Sequence, residues 1–396
     1  MSAKPRRARH ARTATHDNKM TPINTAPLSV EQIPPGVVTL ADHEAHARKR
    51  LDDNAWAYFS GGAGDEFTLR ANCSAWNERL LHPRVLQPLA GGHTRIELLG
   101  RTLAHPVFLA PVAYQRMAHA GGEVASAYAA AALGAGMVLS TQASFSLETV
   151  AQAIVADPNR GPLWFQLYLQ PDRGFTRELV HRAEQAGFEA LVLTVDAPSS
   201  GARDRERRAN FQLPAHVSAV NLAAMAAPAK RALQPGQSAL FDDLLASAPT
   251  WHDVAWLQSI TRLPVVLKGV LHPDDARQAA ALGVAGVIVS NHGGRTLDTL
   301  PATANVLPRI VQAIAGQMPV LVDGGIRRGT DILKAMALGA SAVLVGKPYI
   351  YGLANAGALG VAHVLRLLRD ELEIAMALCG CRTLAQAGPH LLFRPD

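Results

Sequence analysis

From about residue 104 the chain alternates short, β-rich, mainly apolar runs with longer Ala/Leu-rich stretches of helical spacing. The short runs are 107–110, 137–139, 163–167, 190–195, 265–267, 286–289, 320–322 and 342–345. Runs so brief and continuous, rich in Val, Ile and Leu, read as strands buried on both faces, as in a parallel sheet. Helical stretches at 122–133, 147–154, 175–186, 251–260, 273–281, 303–314 and 330–338 separate or follow them. Eight such units over roughly 250 residues predict an α/β fold, a closed (β/α)8 TIM barrel. An open doubly wound sheet is the rival. It calls for a Gly-rich dinucleotide turn after its first strand, which Pro111-Val112-Ala113 does not supply.

Two segments fall outside this alternation. Residues 30–103 hold a predicted helix around 40–57, then Gly61-Gly62-Ala63-Gly64 and an irregular stretch, and read as an N-terminal helical extension. Residues 212–249, after the fourth strand, are too long for a simple βα loop and predict a lid. The apolar part of that lid, 217–228, is short for a membrane contact. One domain is thus expected over 30–390, preceded by a leader over 1–29.

The net charge of +6 changes the picture only at this leader. Lys4, Arg6, Arg7, Arg9, Arg12 and Lys19 face the single acid Asp17 there, without a signal-type apolar core or interleaved aromatics. A disordered basic leader is expected, and Met20 is an alternative start. The rest is nearly balanced, so no nucleic-acid partner is called for. No run reaches the ~18–20 uncharged apolar residues of a membrane span. Cys73, Cys379 and Cys381 show no zinc spacing, so no metal is expected and a reduced, cytoplasmic protein is.

In such barrels chemistry gathers where the strands end. Those ends carry Pro111-Val112-Ala113, Ser140, Gln166 with Tyr168, Thr194 with Asp196, Lys268, Ser290 with His292, Asp323-Gly324-Gly325-Ile326-Arg327, and Gly346-Lys347. A single polar strand end is turn chemistry. Seven of eight aimed into one mouth point to a large polar cofactor. Glycines beside Arg327 and Lys347, ahead of helices near Thr330 and Pro348, suit a phosphate. Lys268 would then face the far end of the cofactor, where a cation suits a flavin. His292 and Arg295, three residues apart, suggest a base acting on an anionic substrate.

Together these residues resemble the FMN-dependent 2-hydroxy-acid oxidases and dehydrogenases, which include glycolate oxidase, lactate oxidase, mandelate dehydrogenase and 4-hydroxymandelate oxidase. The likeness rests on Tyr58-Phe59-Ser60-Gly61-Gly62-Ala63, Ala110-Pro111-Val112-Ala113, Phe165-Gln166-Leu167-Tyr168, Thr194-Val195-Asp196, Val266-Leu267-Lys268-Gly269, Ser290-Asn291-His292-Gly293-Gly294-Arg295 and Asp323-Gly324-Gly325-Ile326-Arg327-Arg328-Gly329. By that resemblance FMN is the cofactor, and an (S)-2-hydroxy acid is oxidised to a 2-oxo acid. It implies His292 as base with Asp196 as its partner, Arg203 and Arg295 clamping the substrate carboxylate, and Tyr58 and Tyr168 bonding the substrate. It implies FMN held by the Val112 and Ala113 backbone, Ser140, Gln166, Thr194, Lys268, Ser290, Asp323, Gly324, Gly325, Arg327, Gly346 and Lys347. Oxygen, a quinone or another acceptor would take the electrons, and a homotetramer is the implied assembly.

Several positions depart from the family pattern. Val112 replaces a common Thr, Gln142 stands where glycolate-oxidase-like members carry Trp, and Lys347 replaces an Arg. The last change keeps charge but loses the guanidinium fork. Two other readings stay open at this point. An FMN-barrel isomerase of prenyl diphosphates would need a diphosphate pocket, and a non-catalytic flavin protein would lack the base or an arginine. The bland readings are that Asp196 caps a helix, Tyr168 is packing and Arg203 pairs within the charge run 203–208.

Overall fold

Each of the eight apolar runs forms a strand because its residues find cover on both sides. The computed structural model describes residues 1–2, 31–225, 233–234, 236–245 and 248–393, and these described residues form ten strands. β1 (Ile96–Leu98) and β2 (Arg101–Leu103) form an antiparallel hairpin. The rest are β3 (Val107–Leu109), β4 (Gly136–Leu139), β5 (Leu163–Leu167), β6 (Ala190–Thr194), β7 (Val265–Lys268), β8 (Gly286–Val289), β9 (Val320–Val322) and β10 (Ala342–Val345). β3 to β10 pair in parallel in chain order, and β10 closes on β3. The expected TIM barrel is therefore present.

Alternation along the strands sorts side chains between two cores. Phe108, Val138, Trp164, Val192, Val266, Ile288, Leu321 and Leu344 fill the barrel interior, while their neighbours face the surrounding helices. The β1–β2 hairpin was not anticipated in the stretch read as irregular. It sends Leu98 and Leu103 into the same interior cluster, each burial contributing about 2 kcal/mol.

The N-terminal extension is also more regular than expected. The helix anticipated over 40–57 is two helices, Leu40–Arg50 and Asp53–Ser60. The break comes at Leu51, whose backbone is extended, and at Asp52, whose carboxylate caps the Ala55 N–H at 2.7 Å. A further helix, Phe67–Asn77, presents Trp76 and Asn72 to the barrel mouth. Trp76 Nε1 donates to the Gly324 carbonyl at 2.8 Å, and Asn72 exchanges two 2.8 Å bonds with Asn291.

After β10 comes one 32-residue helix, Lys347–Leu378, kinked at Ala356 and Gly357. It alone among the described residues is long and apolar enough to cross a membrane, and 67% of its apolar window is buried in the protein. The basic leader lies outside the described residues, as does part of 212–249. The described part of the latter includes a short turn, Val220–Leu222, and a π-helical turn, Ala239–Leu244. Asn221 Oδ1 accepts from the Leu147 N–H at 2.9 Å and ties this segment to the barrel wall.

Candidate active site

The polar strand ends follow from the same alternation. Two residues beyond Val138, Trp164, Val192, Val266, Ile288, Leu321 and Leu344, the inward positions are Ser140, Gln166, Thr194, Lys268, Ser290, Asp323 and Gly346. All of these but Ser290 line one cavity of about 980 Å³ that also takes in Val112, Ala113, Tyr58, Tyr168, Arg203, His292, Arg295, Gly324, Gly325, Arg327 and Lys347. Ser290 and Asp196 stand just behind this lining. Gln166 organises one side: its Nε2 donates to Thr194 Oγ1 at 3.0 Å, and its Oε1 accepts from Ser140 Oγ at 3.3 Å. Lys268 holds the other, with Nζ 2.8 Å from Ser290 Oγ and 3.0 Å from Asp323 Oδ2. Burial works against its charge, yet Asp323 and Asp196 hold its proton more firmly than usual.

His292 sits two residues past Ser290 in a left-handed conformation (φ 57°), which costs a non-glycine residue about 1–3 kcal/mol. Its N–H donates to Ser290 Oγ at 3.0 Å, and its Nδ1 meets Asp196 Oδ1 at 3.0 Å. Gly269 makes this pair possible: any Cβ there would lie 2.4 Å from Asp196 Cβ. Burial draws the His292 pKa below its usual value, and Asp196 partly restores it. Burial would raise Asp196, but the charges of His292 and Lys268 hold it below the usual carboxylate range. The ring is thus oriented, neutral near pH 7 and backed by a carboxylate. Asp196 Oδ2 is buried without a hydrogen-bond partner.

Opposite the imidazole lie the arginines. Arg295 Nη1 donates to the carbonyls of Tyr58 and Gly61, and Nη2 reaches Glu206 Oε1 at 3.0 Å. Arg203 Nη1 approaches the same oxygen at 3.5 Å, so its pairing within the charge run is real as well. Arg295 also lies 4.9 Å over the Tyr58 ring, which stacks on Phe211 at 5.0 Å. Burial pushes the Tyr58 hydroxyl up to about 12, and raises that of Tyr168 with help from Asp196. Both remain proton donors at neutral pH. Glu206, Phe211 and Asn72 belong to this site though none was singled out from sequence. The three-residue spacing of Arg203 and Glu206 was the one available signal.

At the far end, Arg327 and Lys347 mark the loops after β9 and β10. Lys347 Nζ makes no hydrogen bond or ion pair among the described residues. Burial first, then Arg295 and Arg327, hold its pKa well below the usual range. Gly324 and Gly325 have φ of 93° and 81°, and a Cβ on Gly325 would fall 2.0 Å from the Asn72 carbonyl oxygen. Helices Gly329–Ala337 and Lys347–Leu378 start here. An unpaired Lys347, the neighbouring Arg327, glycine backbone and helix N-termini fit a phosphate. The same cavity reaches Lys268 and Gln166, as FMN requires.

Comparison with known proteins agrees with this geometry. The model of the family described as FMN-dependent dehydrogenase matches residues 47–394. An L-lactate oxidase of Alicycliphilus denitrificans is 47% identical, over 90% of this chain and 96% of its own. Glycolate oxidase 1 of Zea mays is 44% identical, over 91% and 97%. A solved mandelate oxidase with (S)-2-phenylpropionate is 43% identical and superposes with a TM-score of 0.80, over 90% of this chain and 98% of its own.

Proposed function

Because the chain belongs to the family of FMN-dependent dehydrogenases, we propose that it oxidises an (S)-2-hydroxy acid to the 2-oxo acid at the barrel mouth. The observation that carries this reading is His292, backed by Asp196 at 3.0 Å, lining one cavity with Arg203 and Arg295. Bound FMN supplies the two-electron acceptor. Arg203 and Arg295 hold the substrate carboxylate through charge-assisted bonds, which fixes the reacting carbon relative to the base. His292 Nε2 takes the proton, and Asp196 stabilises the imidazolium that results. The hydroxyls of Tyr58 and Tyr168 orient the substrate oxygens.

For the cofactor, Arg327, Lys347, Gly324, Gly325 and Gly346 would hold the phosphate. Val112 and Ala113 backbone, Ser140, Gln166, Thr194 and Ser290 would hold the ring and its chain. Lys268, buttressed by Asp323, would supply a fixed positive charge to the flavin as it accepts electrons. Oxygen is the acceptor favoured by the oxidases this chain resembles, over a quinone or other acceptor. The segment 212–249 serves as a lid, and a cytoplasmic homotetramer is part of the same reading.

The test is anaerobic mixing of the FMN-loaded protein with lactate, glycolate, mandelate and long-chain 2-hydroxy acids. Bleaching of the flavin by one of them is expected, with fast recolouring in air. No bleaching by any 2-hydroxy acid would refute the proposal, and slow recolouring would exclude oxygen.

A further inference from the structure

The two arginines already share a carboxylate of the protein itself. Glu206 Oε1 lies 3.0 Å from Arg295 Nη2 and 3.5 Å from Arg203 Nη1. The three side chains are only 13%, 14% and 21% exposed for Glu206, Arg295 and Arg203, so their charges are weakly screened. Glu206 stands one helical turn beyond Arg203 in Asp204–Arg208 and lines the cavity. Arg295 does not need Glu206 for its position, since Nη1 is fixed by the Tyr58 and Gly61 carbonyls. What Glu206 adds is negative charge.

Of the neighbouring pairs two cancel, and the third, Asp196 with a neutral His292, keeps its negative charge. Asp196 is paired with His292, Asp323 with Lys268, and Glu66 with Arg205, which also donates to Ser60 Oγ at 2.8 Å. Tyr58 and Tyr168 are neutral at working pH. The charge on this side is therefore that of Arg203 and Arg295 against Glu206 and Asp196, two positive and two negative. One carboxylate is accommodated by direct bonds to the two guanidinium groups. A second carboxylate would find no uncompensated cation on this side, and the Glu206 charge adds to the repulsion it meets.

Resting on the reading that Arg203 and Arg295 hold the substrate carboxylate, we propose that Glu206 determines specificity, matching the site to 2-hydroxy monocarboxylates and against dicarboxylates of malate type. The conservative variant E206Q separates charge from shape, because its amide oxygen still accepts from both guanidinium groups.

The experiment uses the oxidised FMN-loaded enzyme and two acids it cannot oxidise, butyrate and succinate, with binding read from the flavin absorbance shift. Wild type is expected to bind butyrate more tightly than succinate. In E206Q the succinate-to-butyrate affinity ratio should rise about tenfold, with steeper salt dependence, while E206D keeps the wild-type preference. Tighter succinate binding by wild type, or an unchanged ratio in E206Q, would overturn the proposal. The wild-type comparison decides by itself if E206Q fails to fold. No response to either acid would overturn the carboxylate-site reading and this inference with it.

Discussion

Two pairs of cations share this barrel mouth, and they are treated differently. Arg203 and Arg295 are bridged by Glu206 and further satisfied by backbone carbonyls. Lys347, beside Arg327, forms no ion pair among the described residues, and burial leaves its charge costly. A site completed once by a resident group can keep bare cations, because that group supplies the missing charge for the life of the protein. A site emptied at every turnover must be stable without its ligand, so its cations carry a partial counter-charge. On this view the bare pair is the cofactor end and the bridged pair the substrate end.

The comparison breaks most readily at the bridged pair. Arg295→Met should lower kcat/KM by about 10³-fold, roughly 4 kcal/mol, by removing the carboxylate contact while FMN stays bound. Steady-state kinetics alongside the flavin spectrum checks both halves. Asp196→Asn should lower kcat by about 10²-fold. His292 acts as a neutral base, so kcat/KM rises with pH through its already lowered pKa. Asp196 raises that pKa, so removing its charge should move the acid limb to still lower pH, which a pH–rate profile reads directly. At the bare pair, Lys347→Met should weaken FMN binding about 50-fold, roughly 2 kcal/mol, and leave the substrate KM of the loaded enzyme nearly unchanged. Equilibrium dialysis of FMN measures it. A shifted KM with unaltered FMN affinity would reverse the assignment of the two ends.

Much of this was legible because strands buried on both faces must be continuously apolar, and eight such runs leave few architectures. The inward polar residues were legible too, since they fall two positions past core residues such as Trp164 and Ile288. What escaped depends on contacts between distant segments. The Leu98–Leu103 hairpin is defined by the barrel floor it fills, and Trp76 by the Gly324 carbonyl 248 residues away. The split at Asp52 was a capping signal inside an otherwise helical pattern. Glu206 was hidden in a charged run because its partner Arg295 lies 89 residues on.

The central claim is that His292 removes the substrate proton once the arginines have placed it. Anaerobic rapid mixing of FMN-loaded wild type and His292→Gln with the preferred 2-hydroxy acid tests it most directly. The account predicts that both show the spectral shift of binding, but that flavin bleaching in the variant slows by about 10⁴-fold. Bleaching of the variant at the wild-type rate would contradict it.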